Sequence, residues 1–270
     1  MVHVLKADRS NEPFSEQKVL DSINRAHIPH SLRGQVLTHV KSKLYDGIST
    51  NEIYHHILEF LDTTPKPYIK TRYSLKEAIM QLGPTGYPFE DFISKLLQSE
   101  GYATQVRQIL RGRCVTHEID VLAQKNGKNI MLEAKFHNSP GARSEIHVAL
   151  YTQARFEDIR VANHIDEAWL VTNTKTTIDA NLYANCAGMR ILSWDYPVGS
   201  GLRELIENSR LHPITMLTTL SNSQKMTLLE NHTVLCKDIQ SNPNLLDILY
   251  LSKQDREILM AEISTVSNIE

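Results

Sequence analysis

Two short apolar segments, residues 115–123 and 130–136, flank Lys125-Asn126-Gly127-Lys128, and that junction constrains the fold more than any other stretch of the chain. Asn-Gly is the strongest short hairpin signal, because both residues accept the positive φ of a two-residue turn. The flanking segments are rich in Val, Ile and Leu, so the pair predicts an antiparallel hairpin with a buried face. Side chains alternate across a strand. In residues 131–136, Glu133 and Lys135 therefore share one face, while Leu132, Ala134 and Phe136 line the other. Asp120 lies between Ile119 and Val121 and points away from an apolar face, and the hairpin brings it within cross-strand reach of Glu133. Two carboxylates and an ammonium then converge on one point.

Two acids held close together need a cation, and hard Mg²⁺ (or Mn²⁺) prefers carboxylate and water oxygens. A metal there polarises a phosphate and acidifies a bound water, while Lys135 orients that water or stabilises the developing charge. That combination suits phosphodiester hydrolysis, which asks for charge neutralisation and little covalent chemistry from the protein. The plain alternative is a surface ion pair, since Glu and Lys two apart on an exposed strand face are common.

The rest of the chain divides into three parts. Residues 1–82 open with a short strand at 2–6 and continue as helices. Val19, Leu20, Ile23 and Ala26 recur at helical spacing, and Ser49-Thr50-Asn51-Glu52 forms a capping box ahead of Ile53, Ile57, Leu58 and Leu61. Residues 83–88, with four Gly and Pro in six, form a linker. Residues 86–208 follow as an αβββαβ-like α/β domain if residues 103–110 count as a strand, with a helix ending at Gly101, the hairpin, helices over 144–162, 177–186 and 202–208, and strands at 168–172 and 189–194. Residues 209–270 read as entirely helical.

Composition excludes several classes. Apolar residues make up 41% and charged residues 22%, as in globular proteins. No apolar run approaches the roughly 20 residues of a membrane helix, and the first ten residues lack a signal-peptide core, so a cytoplasmic location is expected. Cys114, Cys186 and Cys236 are too few and too scattered for a disulfide framework or a thiolate zinc site. Net charge is −2, but residues 107–160 carry nine Lys and Arg against six Asp and Glu. With the two acids neutralised by a metal, that stretch becomes a basic surface of the kind phosphate contacts require.

Several motifs carry a resemblance. Pro88-Phe89-Glu90, Leu96-Leu97 with Gly101-Tyr102, Glu118-Ile119-Asp120-Val121, Leu132-Glu133-Ala134-Lys135, Leu170-Val171-Thr172-Asn173 and Met189-Arg190-Ile191-Leu192 resemble the Mrr-type restriction endonuclease catalytic domain of the PD-(D/E)xK superfamily. The resemblance implies a restriction-endonuclease-like mixed sheet, Asp120 and Glu133 as metal ligands and Lys135 as the catalytic lysine. Glu90 corresponds to a first-helix acid that some relatives add to the metal shell. Ile119 stands where the superfamily's name has proline. Gln153, on the helix after the core strands, corresponds to a position that helps shape the site or contacts nucleic acid, and Arg155 is a candidate phosphate contact. Surface positions on a long helix are the plain alternative for both.

The N-terminal residues Val4-Leu5-Lys6, Glu12-Pro13-Phe14-Ser15, Lys18 and Ile48-Ser49-Thr50-Asn51-Glu52-Ile53 resemble the ATP-cone, a small helical regulatory domain. That resemblance implies binding of ATP or dATP, with Lys6, Lys18, Thr50 and Lys70 among the contacts, although Ala7 replaces a second basic residue. Positive charge beside a helix N-terminus suits phosphate. The expected protein is thus a Mg²⁺-dependent endonuclease, gated by an adenine nucleotide and acting on DNA as a homodimer or higher homo-oligomer away from membranes. A nucleotide-sensing nucleic-acid-binding regulator without turnover, or a nuclease acting on RNA, is the alternative.

Overall fold

The structure, a computed structural model, describes residues 2–6, 9–25, 28–64, 67–139 and 141–267; the side chains of residues 25 and 67–72 lie outside the described part. The chain forms two compact units, Met1–Glu77 and Ala78–Glu270.

In the first unit, β1 (His3–Leu5) is the middle strand of three, antiparallel to β2 (Asn11–Pro13) and parallel to β3 (Ile48–Ser49). The helices α1 (Glu16–Arg25), α2 (His30–Ser42) and α3 (Thr50–Asp62) bury Val19, Ile23, Val36, Val40, Ile53, Ile57 and Leu61 against Val4 and Ile48. The capping box forms as its residues predict: Glu52 N–H donates to Ser49 Oγ at 3.1 Å, and Ser49 N–H donates to Glu52 Oε2 at 3.0 Å. Helix α4 (Pro67–Met80) follows.

The second unit begins with α5 (Tyr87–Ser99), then β4 (Ala103–Arg111), β5 (Thr116–Lys125) and β6 (Lys128–Lys135). Asn126 and Gly127 turn β5 into β6 with φ of 53° and 76°, a conformation that needs the small or turn-adapted side chains found there. A short strand β7 (Arg143–Ser144) leads into α6 (Ile146–Ile159), β8 (Glu167–Thr172), a short β9 (Lys175–Thr176) parallel to β7, α7 (Ile178–Ala187) and β10 (Arg190–Leu192). The main sheet has the order β10-β8-β6-β5-β4. Its meander β4-β5-β6 is antiparallel, and α6 and α7 supply the crossovers that make β6, β8 and β10 parallel. The sheet is therefore mixed, as expected.

Met131, Ala168, Leu170 and Ile191 pack beneath Val148, Ala149, Phe156 and Ile159 of α6 and Ala180 and Ala184 of α7. Val121 and Leu132, paired across the β5–β6 ladder, are fully buried on the opposite face, where Phe89, Phe92, Ile93 and Leu96 of α5 close the core. The strands at the centre of the sheet are thus sandwiched, and polar residues on them are conspicuous. Helix α8 (Leu202–Ser209) closes the sheet domain, and the residues after it carry the helices α9 (Asn222–Glu230), α10 (Cys236–Ser241) and α11 (Lys253–Ser267) with loops and short 3₁₀ turns between them. Glu262 of α11 holds Thr218 and Thr219 through their N–H and hydroxyl groups at 2.6–3.0 Å.

Candidate active site

The β5–β6 ladder pairs Lys125 with Lys128 and continues as far as Val121 opposite Leu132. One step further, where Asp120 and Glu133 would face each other, the regular pairing stops. Ala134 N–H, released from the ladder, donates to Asp120 Oδ2 at 2.7 Å. The other flank of Asp120 is irregular too. In β4, Val106 pairs with Val121 and Gln108 with Ile119, while Arg107 between them adopts φ 52°. A left-handed backbone at a non-glycine residue interrupts the pleat at this point. Strand β6 meanwhile stays paired with β8, so Glu133 and Lys135 keep their places opposite Leu170 and Thr172.

Glu133 is gripped from above by α6. Arg155 Nη1 donates to Glu133 Oε2, and Arg155 Nη2 donates to the carbonyl oxygen of Glu118 on β5. Asp120 Oδ1 and Glu133 Oε1 have no hydrogen-bond partner among the described residues. The Lys135 side chain is exposed at the end of β6, and no hydrogen bond or ion pair engages its ammonium among the described residues. The structure thus brings Asp120, Glu133 and Lys135 together, with each acid holding one oxygen fixed and one free.

Burial raises the proton affinity of both acids. Glu133 is pushed up to about 7, mainly by desolvation and then by the neighbouring Asp120 charge, with Arg155 and Lys135 opposing. Asp120 is raised by desolvation, against the Ala134 N–H that favours its charged form. Arg155 does not outweigh burial at Glu133, because one guanidinium shared with a backbone carbonyl offsets only part of the repulsion between two enclosed carboxylates. Such a pair is a donor set for a hard divalent cation.

The third acid expected in that set, Glu90, stands close enough to feel the Asp120 charge. Glu90, on α5, is bound by Arg107 at 3.2 Å, and the same guanidinium holds the adjacent Asp91 at 2.7 Å. Desolvation, then Asp120, pushes Glu90 up to about 7. Among the described residues no three His, Cys, Asp or Glu are arranged to hold a metal. Glu90 is thus a neighbour of the Asp120–Glu133 pair, with Arg107 as its counter-charge in the metal-free protein.

One residue of α6 departs from the surface reading. Arg155 is 7% exposed and turned into the site, where it contacts a carboxylate and not solvent. It belongs to the buried stripe Val148, Thr152, Arg155, Phe156 and Ile159. Gln153 instead donates along the helix to Glu157 Oε1 at 3.0 Å and makes no hydrogen bond to the acids. Neither the role of Arg107 nor the His232–Asp91 contact at 2.8 Å is visible along the chain, because both depend on pairing between distant segments.

In the N-terminal unit, Lys6 and Lys18 close on Glu12 at 2.6 and 2.7 Å. Leu5 pairs with Ser49, so Lys6 leaves β1 beside Thr50 at the start of α3, where Thr50 is exposed. Lys6, Lys18 and Thr50 thus gather at one end of the small sheet. The side chain of Lys70, and Ala7, lie outside the described residues. His56 contacts Glu59 at 3.2 Å, and His39 approaches the same oxygen at 3.5 Å. His117 binds Asp158 at 2.9 Å and His137 contacts Ser144 at 3.0 Å, so both serve the scaffold beside the site.

A mixed sheet whose central hairpin splays at two acids and a lysine defines a domain of restriction-endonuclease type, and the restriction endonuclease catalytic family, Mrr_cat, matches residues 83–197. A second family, described as AF1548-like, C-terminal, matches residues 212–267. An uncharacterized protein of Archaeoglobus fulgidus is 35% identical over 169 residues, covering 62% of this chain and 95% of its own length. The crystal structure of a protein of unknown function, AF1548, superposes with a TM-score of 0.60 at 33% identity, covering 68% of this chain and 98% of its own. The chain belongs to the AF1548-like family, and it carries a restriction-endonuclease domain followed by the C-terminal domain of that family. No helix among the described residues is long and apolar enough to cross a membrane.

Proposed function

We propose that the chain is a divalent-metal-dependent endonuclease that hydrolyses phosphodiester bonds of DNA. The observation that carries this reading is the paired free oxygens of Asp120 and Glu133 beside the unengaged ammonium of Lys135. Asp120 and Glu133 are the residues that would hold Mg²⁺ or Mn²⁺. When bound, such an ion supplies charge neutralisation at the phosphate and a more acidic water. The chain's own groups do the positioning: Ala134 N–H fixes one oxygen of Asp120. Lys135, free of other partners, stabilises charge developing on the scissile phosphate. Burial of the acids by α5 and α6 keeps water from screening these interactions.

In this reading residues 86–208 are the nuclease domain, 209–270 its helical C-terminal region, and 1–82 a nucleotide-binding regulatory module. The pairing of Lys6 and Lys18 around Glu12, next to Thr50 at a helix start, supports phosphate binding there, with ATP or dATP displacing Glu12 from the two ammonium groups. Binding of that nucleotide regulates cleavage.

The test incubates purified protein with supercoiled plasmid and with RNA, in Mg²⁺ or EDTA, with and without ATP and dATP. Mg²⁺-dependent nicking of plasmid that disappears in Glu133→Ala and Lys135→Ala is the expected result. Cleavage that survives both substitutions overturns the site. RNA cut in preference to plasmid overturns the substrate, and rates indifferent to both nucleotides overturn the regulation.

A further inference from the structure

Arg155 occupies a place that a nucleic-acid contact would not. Its side chain is 8% exposed, and both terminal nitrogens are committed to the protein. One holds Glu133 on β6; the other holds the Glu118 carbonyl on β5, two residues before Asp120. Between those points the β5–β6 ladder has already ended, at Val121 opposite Leu132. Beyond that pair only two interactions among the described residues bridge the splayed strands: Ala134 N–H to Asp120, and the Arg155 fork. The guanidinium is itself anchored from α6, in the core-facing stripe and 5.4 Å from the Tyr151 ring centroid.

We propose that Arg155 is a positioning residue that sets the separation and orientation of the two acids by clamping β6 to β5 where the ladder fails; this rests on the nuclease reading of the same site. It acts on Glu133 as Ala134 N–H acts on Asp120: each ties one carboxylate oxygen to the scaffold and leaves the other for the metal. A planar fork with two divergent donors serves this purpose, and a single ammonium does not, since it cannot span a carboxylate and a carbonyl with fixed geometry. Outer partners that orient a metal ligand typically change metal affinity or activity by about 10–100-fold when removed.

The experiment compares the full-length wild type with Arg155→Lys and Arg155→Gln. Mn²⁺ binding is titrated by electron paramagnetic resonance in the absence of DNA, kcat and KM are measured on plasmid, and thermal melts monitor folding. Arg155→Lys is expected to stay folded, to bind Mn²⁺ about tenfold or more weakly, and to lose kcat with KM for DNA unchanged. If Arg155→Gln does not fold, because Glu133 loses its buried counter-charge, Arg155→Lys alone carries the test. Arg155→Lys indistinguishable from wild type in both metal binding and kcat overturns the proposal, because charge alone then suffices. A rise in KM at unchanged kcat and metal affinity overturns it in favour of a DNA contact. Wild-type protein that binds no Mn²⁺ and cleaves nothing removes the nuclease reading and this inference together; an active wild type matched by Arg155→Lys removes the inference alone.

Discussion

Lys6 and Lys18 of the N-terminal unit close on Glu12 in a cluster open to solvent, whereas Asp120 and Glu133 of the larger unit stand between α5 and α6 with little access to water. The two clusters are inverse in charge and opposite in what surrounds them. Around Glu12 two cations share one anion, its carboxyl is held below the usual range by Lys18 and then Lys6, and water screens what remains. Around Asp120 two anions share part of one guanidinium, and burial drives both proton affinities up. The contrast teaches that burial, more than the count of charges, decides whether a cluster calls for a ligand. An exposed excess charge is tolerated; an enclosed one demands a counter-ion or a proton.

The largest effect is expected at the enclosed cluster: Lys135→Ala should lower kcat on plasmid by about 10²–10³-fold, as loss of a preorganised charge stabiliser does, while the melting temperature stays near that of wild type because Lys135 is exposed. A matched loss of stability would make Lys135 a scaffold residue. Next, Leu132→Ala removes a fully buried side chain from the strand that carries Glu133 and should cost about 2–5 kcal/mol in urea unfolding. A cost near zero would mean the sandwiching of β6 is overdrawn.

A smaller effect distinguishes the acids by pH. The folded state binds the Glu133 proton more tightly than the unfolded chain does, so its contribution is most favourable below about pH 4.3 and is lost as pH rises towards about 7. Metal-free wild type should therefore lose more stability than Glu133→Gln between pH 5 and 7.5, by urea midpoint. Asp158, held below the usual carboxylate range by His117, acts with the opposite sign and only in more acidic solution. Parallel pH profiles for the two proteins would contradict the burial argument. The smallest effect belongs to the exposed cluster: Glu12→Gln frees two lysines and should tighten dATP binding a few-fold by calorimetry, without altering the melt. Weaker binding would show that Glu12 serves the site and does not block it.

Much of this was legible in residues 115–136. The Asn-Gly turn announced the hairpin, period-two alternation put Glu133 and Lys135 on one side, and the main helices and strands to Leu192 followed from periodicity, with β4 a conditional reading and the two-residue strands β7 and β9 unannounced. The capping box at Ser49 was legible for the same reason, since its donors and acceptors are three residues apart. Arg155 was not legible as an inward-facing residue: along the chain it looks like a surface arginine of a long helix, and its partners on β5 and β6 are 37 and 22 residues away and are chosen by the fold. Arg107 was not legible at all. Its left-handed backbone and its hold on Glu90 and Asp91 arise where β4 meets a distorted β5, and no local pattern announces that. The Arg107 contact of Glu90 was hidden for the same reason, because that cation comes from strand β4 and not from α5.

The most direct test of the central claim, that Asp120 and Glu133 form one cation site, is a crystal of the full chain soaked in Mn²⁺ and measured for anomalous scattering. The expected result is a peak shared by the free oxygens of Asp120 and Glu133, absent in Glu133→Gln. A peak on Glu90 and Asp91 instead, or one that persists in Glu133→Gln, would contradict it.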